Sequence, residues 1–230
     1  MPRPKPFGVP DVSTLAPGRG VGSARKSAQD SKNRIFPPDL KIAPWTCSSR
    51  ILVNNLGIFE PKAFDDIPDA EWLRFFDVNV VSGVRLARLY LPSMRTRNWG
   101  RIIFISSESG VQIPAEMIHY GVTKTAQLAV SRGLAESLAG TGITVNSVLP
   151  GPTKSRGVGD FVDALARDAG KSFEEFEREF FAKVRPTSLI KRFATPEEVA
   201  NMVAYVASPL SSATTGSSLR VDGGTVKSAF

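Results

Sequence analysis

The chain has 230 residues, 42% of them hydrophobic, and a formal net charge of +7. That length suits one domain with a substantial core; no apolar run reaches the roughly 18 residues of a membrane span, the N-terminus lacks the apolar centre of a signal peptide, and one cysteine with one histidine leaves no basis for an intramolecular disulfide or a structural zinc site. Residues 1–50 hold nine Lys/Arg against three Asp/Glu while the rest hold 20 against 19, so the globular part offers no basic groove for nucleic acid, and a soluble cytoplasmic protein is expected.

Residues 1–50 read as an irregular, basic segment carrying eight of the 17 prolines. Gly18-Arg19-Gly20-Val21-Gly22 has the glycine density of a phosphate-binding turn. Pro10 and Pro17 break the stretch before it, and the stretch after it has no apolar face. It reads as a flexible basic tail. From residue 51 to 230 the character changes. Ile51–Val53 predicts a short strand, followed by Asn54-Asn55-Leu56-Gly57. Asp66 to about Arg97 predicts a helix capped by Asp69, with Pro92 bending it or ending it early. Arg101–Ser106 is a second strand, Ala115–Ala139 a second long helix, and Ile143–Leu149 a third strand ending in Pro150-Gly151-Pro152-Thr153. Residues 158–184 are helical, charged and rich in phenylalanine. Thr195-Pro196-Glu197-Glu198 carries the cap, the first-turn proline and the acidic third position of a helix start. Ser218–Val221 is a last strand, closed by Asp222-Gly223-Gly224.

Strands alternating with helices imply right-handed crossovers and a three-layer α/β fold around a parallel sheet. Sites in such folds lie beyond the carboxyl ends of the strands. Three strands here end on unusual clusters: 54–57, Ser106-Ser107, and 150–153. The helix after the second cluster carries Tyr120 and Lys124, four apart and so on one face. An unperturbed phenol has a pKa of about 10, and a neighbouring ammonium lowers it. Such a pair is a general acid/base, and Ser107 is placed to hold a substrate oxygen. An isolated Y-x-x-x-K describes an ordinary surface helix; the converging strand ends make it a site. His119 reads as a packing or surface residue.

In order along the chain stand N-N-x-G at 54–57, Asn79 in D-V-N, Ser107, Y-x-x-x-K at 120–124, V-N-x-V-x-P-G at 145–151 and V-D-G-G at 221–224. Together they resemble the short-chain dehydrogenase/reductase family, most nearly its 3-oxoacyl-carrier-protein reductase type. The resemblance implies a Rossmann-like sheet and hydride transfer between NAD or NADP and a small carbonyl/alcohol substrate. It implies that Tyr120 moves the proton, Lys124 lowers its pKa and binds the nicotinamide ribose, Ser107 holds the carbonyl oxygen, and Asn79 positions Lys124 through a water relay. Asn55 and Gly57 would line the adenine-ribose side, and Pro150, Gly151 and Thr153 the nicotinamide. Leu56 stands where the family usually has alanine and narrows that side. Phe161, Leu165, Phe173, Phe176, Phe180 and Phe181 would fall in the substrate lid. A homodimer or homotetramer is implied, with no metal. The family's first βαβαβ half, with its glycine-rich loop, has no counterpart in residues 1–50, which read as its replacement. Ile51–Val53 should then be an open sheet edge. The alternative is an inactive relic, or an oligomeric interaction protein of the same family.

Overall fold

The computed structural model describes residues 49–155 and 171–229. The basic segment before residue 49, with Gly18–Gly22, lies outside the described residues, as do Phe161 and Leu165.

Four strands form one parallel sheet in the order β1 (Ile51–Asn54), β2 (Gly100–Ile105), β3 (Ile143–Pro150) and β4 (Ser218–Val221). Each successive strand adds beside the last, so all carboxyl ends lie on one edge. Between them run α1 (Asp69–Phe76), α2 (Ser82–Arg97), α3 (Ile118–Glu136), α4 (Phe173–Lys183) and α5 (Pro196–Ala207). The period-two alternation of β2 sends its side chains to two cores. Ile102 and Phe104 join Leu52, Ala87, Leu91, Met94, Ile143 and Val145 under α2 and α3. Ile103 and Ile105 pack with Val148, Val206 and Val199 under α5. These are the three layers expected from the sequence: helices, sheet, helix.

The helix expected over 66–97 is in fact two helices joined by a π turn, Asp77–Val81, across which the Ser82 N–H reaches back to the Asp77 carbonyl. Pro92 does not end α2, which runs on to Arg97 and stops at Asn98 in the left-handed region (φ 48°). The second long helix starts three residues later than Ala115, after a 3-10 turn over Ala115–Met117. The Ser172/Glu175 capping box that opens α4 sits inside the region read simply as helical, and α5 opens with the expected Thr195/Glu198 box.

Among the described residues β1 pairs only with β2. Leu52 is buried beneath α2, whereas Ile51 and Val53, on the other face, are 42% and 40% exposed. Of the phenylalanines placed in a lid, the described Phe173, Phe176, Phe180 and Phe181 pack together around Phe193: Phe181 and Phe193 are buried, and the Phe180 and Phe193 ring centroids are 5.0 Å apart.

Candidate active site

Three strand ends build the site. Ser106 and Ser107 leave β2 in extended backbone, and Ser107 caps a 3-10 turn, Glu108–Gly110, its Oγ accepting from the Ser109 N–H at 3.1 Å. That turn docks on α3 through Gly110, where a Cβ would come within 2.9 Å of the Lys124 backbone. Thr125 Oγ1 donates to the Gly110 carbonyl at 2.8 Å, and Ser106 Oγ to the Lys124 carbonyl at 2.8 Å. Ser107 is thereby fixed beside α3, the helix that carries Tyr120. Tyr120 is half-buried, its ring edge-on to that of Phe59 at 6.3 Å.

Lys124 is buried, with Nζ 5.6 Å from the Tyr120 ring centroid. It donates to the Ile105 carbonyl at 2.9 Å and to Gln127 Oε1 at 3.3 Å. Gln127, itself buried, donates through Nε2 to the Asn79 carbonyl. The Gln127 amide thus links Lys124 to the Asn79 backbone. The Asn79 side chain faces the other way. Its Oδ1 accepts from the Ile58 N–H at 2.8 Å, and its Nδ2 donates to the Ile58 carbonyl and to Thr123 Oγ1. The π turn thus pins the loop after β1 to α3 with one residue's side chain and to Lys124 with its carbonyl. π turns recur at functional sites for this kind of reason.

Burial dominates the electrostatics. It pushes the Tyr120 phenol up to about 12, against the lowering effect of the Ser107 hydroxyl and the Arg185 charge; Glu108 pushes it further up. Burial also pushes Lys124 down to about 8. The expected lowering of the phenol by Lys124 is therefore not what governs it: both groups are taken from water, and each is driven toward its neutral form.

Asn55 and Gly57 are exposed at the end of β1, and Gly57 faces Lys124, whose Nζ a Cβ there would approach to 3.4 Å. A cleft of about 320 Å³ opens between this loop and the start of α2, lined by Asn54, Asn55, Leu56, Asn79, Ser82 and Gly83 among others. The buried Asn54 amide has no hydrogen-bond partner for either polar atom among the described residues. Leu56 is 43% exposed and lines the cleft without filling it. At the third strand end, Gly151 passes so close to Asp222 that a Cβ would lie 2.7 Å from its carbonyl oxygen. Thr153 donates to the Gly151 carbonyl at 2.9 Å and pairs with Ala194 just before α5. Pro150, Gly151 and Thr153 therefore stand on the same sheet edge as Ser107, Tyr120 and Lys124.

The pattern that describes enoyl-(acyl carrier protein) reductases matches residues 46–226. The chain belongs to the short-chain dehydrogenase/reductase family. An uncharacterized oxidoreductase of Bacillus subtilis (strain 168), YvaG, is 52% identical over 180 residues, 78% of this chain and 68% of that protein. A D-β-hydroxybutyrate dehydrogenase of Rhizobium meliloti (strain 1021) is 33% identical over 224 residues, 95% of this chain and 86% of that one. The crystal structure of L-sorbose reductase from Gluconobacter frateurii, complexed with NADPH and L-sorbose, superposes with a TM-score of 0.73 at 32% identity, covering 78% of this chain and 67% of the other. The oxidoreductase class and the Rossmann-like fold follow from this membership.

Three members of the site were not singled out from the sequence. Gln127 follows Lys124 by three residues, a spacing that places it on the same helix face. Glu108 is adjacent to Ser107 and was legible as a carboxylate beside a candidate serine. Arg185 reaches Glu108 at 3.3 Å across 77 residues of sequence, with no local signal. His119 packs as expected: it is fully buried, 4.1 Å from the Phe75 ring and 6.0 Å from Trp72. Among the described residues no His/Cys/Asp/Glu group could hold a metal ion, and no helix is long and apolar enough to cross a membrane.

Replacing Gln127 with leucine keeps the volume and removes both ends of the bridge. The buried Lys124 ammonium then loses an acceptor, and the Asn79 carbonyl loses its donor. We expect roughly 1–3 kcal/mol of lost stability in thermal unfolding, and a further fall of Lys124 pKa in lysine-side-chain NMR. An unchanged Lys124 titration would show that the bridge does not act on it.

Proposed function

We propose that the chain is an NAD(P)-dependent oxidoreductase acting on a carbonyl/alcohol pair, with Tyr120 as acid/base and Ser107, Lys124 and Asn79 in support. The observation that carries this reading is the meeting of Ser107, Tyr120 and Lys124 on the carboxyl edge of a parallel sheet, with Ser107 and Lys124 held by hydrogen bonds. The residues present fit the nicotinamide-ribose half of the cofactor: Gly57 leaves the approach to Lys124 Nζ free of side-chain atoms. Lys124 and Tyr120 would hold that ribose, Pro150, Gly151 and Thr153 would flank the nicotinamide, and Asn55 and Gly57 the adenosine side. When bound, the nicotinamide would supply or accept the hydride.

The chain's own residues account for the proton. With its pKa at about 12, Tyr120 is a neutral phenol at neutral pH. In reduction it would give its proton to the developing alkoxide. Oxidation requires the phenol to ionise first. Ser107 would hold the substrate oxygen beside it. The relatives suggest two substrate types for trial, a 3-hydroxy acid and a ketose. A cytoplasmic homodimer or homotetramer belongs to the same proposal.

A second reading, a catalytically inactive relic or oligomeric interaction protein, draws on a different observation. The Asn54 amide is buried without partners, the edge of β1 is open, and no glycine-rich turn stands beside it among the described residues. Titrating the full chain with NADH and NADPH, followed by ketone-dependent oxidation of each, separates the two. We expect binding weaker than micromolar and slow turnover. Micromolar affinity would overturn the view that the adenosine side is poorly held. No turnover with any ketone at saturating cofactor would leave the second reading standing.

A further inference from the structure

Ser107 has one proton to give, and in this structure it goes to Glu108. Ser107 Oγ donates to Glu108 Oε2 at 2.6 Å and accepts from the Ser109 N–H. What Oγ has left to offer Tyr120 is therefore a lone pair, which can only accept from the phenol. Glu108 is buried, 5% exposed, at a point where an uncompensated carboxylate would be costly. Its other oxygen is taken by Arg185 Nε at 3.3 Å. Arg185 is held in turn: its backbone N–H bonds the Phe180 carbonyl at the end of α4, and its Nη1 donates to Glu116 and to the Val184 carbonyl.

We propose that Glu108 and Arg185 are a positioning pair for Ser107 and Tyr120. Glu108 draws the Ser107 proton and makes Ser107 the acceptor for the phenol; Arg185, carried just past α4, fixes Glu108 and balances its charge. For Tyr120 to ionise, Ser107 must turn its proton from Glu108 to the phenolate. Two anions then compete for one hydroxyl, and Arg185 decides the contest by how strongly it holds Glu108. The pair links the segment that follows α4 directly to the reacting hydroxyls. A structural anchor between that segment and the turn after β2 is the competing explanation of the same contacts.

The charged groups that face the phenol are Lys124 on its own helix, Glu108 on the turn after β2 and Arg185 after α4, with Glu116 acting through Arg185. The test follows the three tyrosines of the full chain, Tyr90, Tyr120 and Tyr205, by NMR with carbon-13 at the ring Cζ. Tyr120→Phe identifies the Tyr120 signal. At fixed alkaline pH we expect Glu108→Gln to raise the Tyr120 phenolate-to-phenol ratio about tenfold, a shift of about one pH unit. Arg185→Met should lower the ratio, and Arg185→Lys, which keeps the charge, should restore it. An anchoring role alone would move Tyr120 in the same direction in Glu108→Gln and Arg185→Met, or not at all; either result overturns the proposal. Should Glu108→Gln not fold, equal phenolate ratios in Arg185→Met and Arg185→Lys overturn it as well. The proposal rests on Tyr120 being the acid/base, but the titration needs neither cofactor nor turnover. Loss of the catalytic reading would therefore appear in activity assays and not in this experiment.

Discussion

Tyr120→Phe is expected to reduce ketone-dependent NAD(P)H oxidation by a factor of about 10²–10⁴, the range over which a positioned general acid contributes. The substitution removes one oxygen and leaves the ring packed against Phe59. Ser107 keeps the Ser109 N–H and its own bond to Glu108. Stability should change little, and cofactor affinity should fall only by the share that the phenol contributes at the ribose. The measurement is kcat and KM for a ketone at saturating cofactor, beside the unfolding curve of each protein. A variant that retains the parent rate would remove Tyr120 from the mechanism. In the parent, the reductive rate should fall as pH rises through about 8, where Lys124 loses its proton, and not at a phenol that stays neutral to about 12.

Lys124→Met should do the opposite to stability: activity falls and the fold becomes harder to unfold. The Lys124 pKa is about 8 in the folded chain, against an ordinary value of 10.5 in water. Below pH 8 the folded state carries a buried ammonium that water would hold more cheaply. Between 8 and 10.5 the unfolded chain binds the extra proton, so parent stability rises with pH across that window. The burden at neutral pH is roughly 3 kcal/mol, from about 1.4 kcal/mol per pKa unit. Methionine relieves it but forfeits the bonds to Ile105 and Gln127, so a net gain of about 1–3 kcal/mol is expected at pH 7. That corresponds to a Tm increase of roughly 2–10 °C for a domain of this size. The decisive comparison is the pH dependence: the parent should gain stability from pH 8 to 10 and the variant should not. Tyr120 acts only above pH 10 and in the other direction, because its folded pKa is raised. Parallel curves for the two proteins would show that Lys124 is not the buried charge described.

Much of this site was legible because it is local. Tyr120 and Lys124 share a helix face by spacing alone, and each strand shows as a short apolar run within a residue or two of its observed ends. The parallel topology then follows from alternation of strands and helices, and with it the meeting of 54–57, 106–107 and 150–153. What escaped is what depends on three-dimensional burial. Nothing in the composition around Tyr120 says that its hydroxyl and the Lys124 ammonium are both taken from water, so the direction of the phenol shift was misjudged. The π turn has no sequence signature in Asp77-Val78-Asn79-Val80-Val81, whose apolar residues fit an ordinary helix equally well. The aromatic cluster around Phe193 was hidden because Phe193 itself lies well after the α4 phenylalanines it packs against.

The π turn also has a bearing on how one stretch of helix meets two different partners. Upstream of it, Phe75 must face inward to lie against the His119 ring. Downstream, Ala87, Leu91 and Met94 must face the sheet. An α-helix advances by about 100° per residue, so a rigid rod from Asp69 to Arg97 would fix one of these directions by the other. The extra residue in the turn breaks that bond of phase. Asp77–Val81 acts as a gearing between two helices that are continuous in backbone yet independently indexed, and Asn79 sits at the tooth where the change of phase occurs.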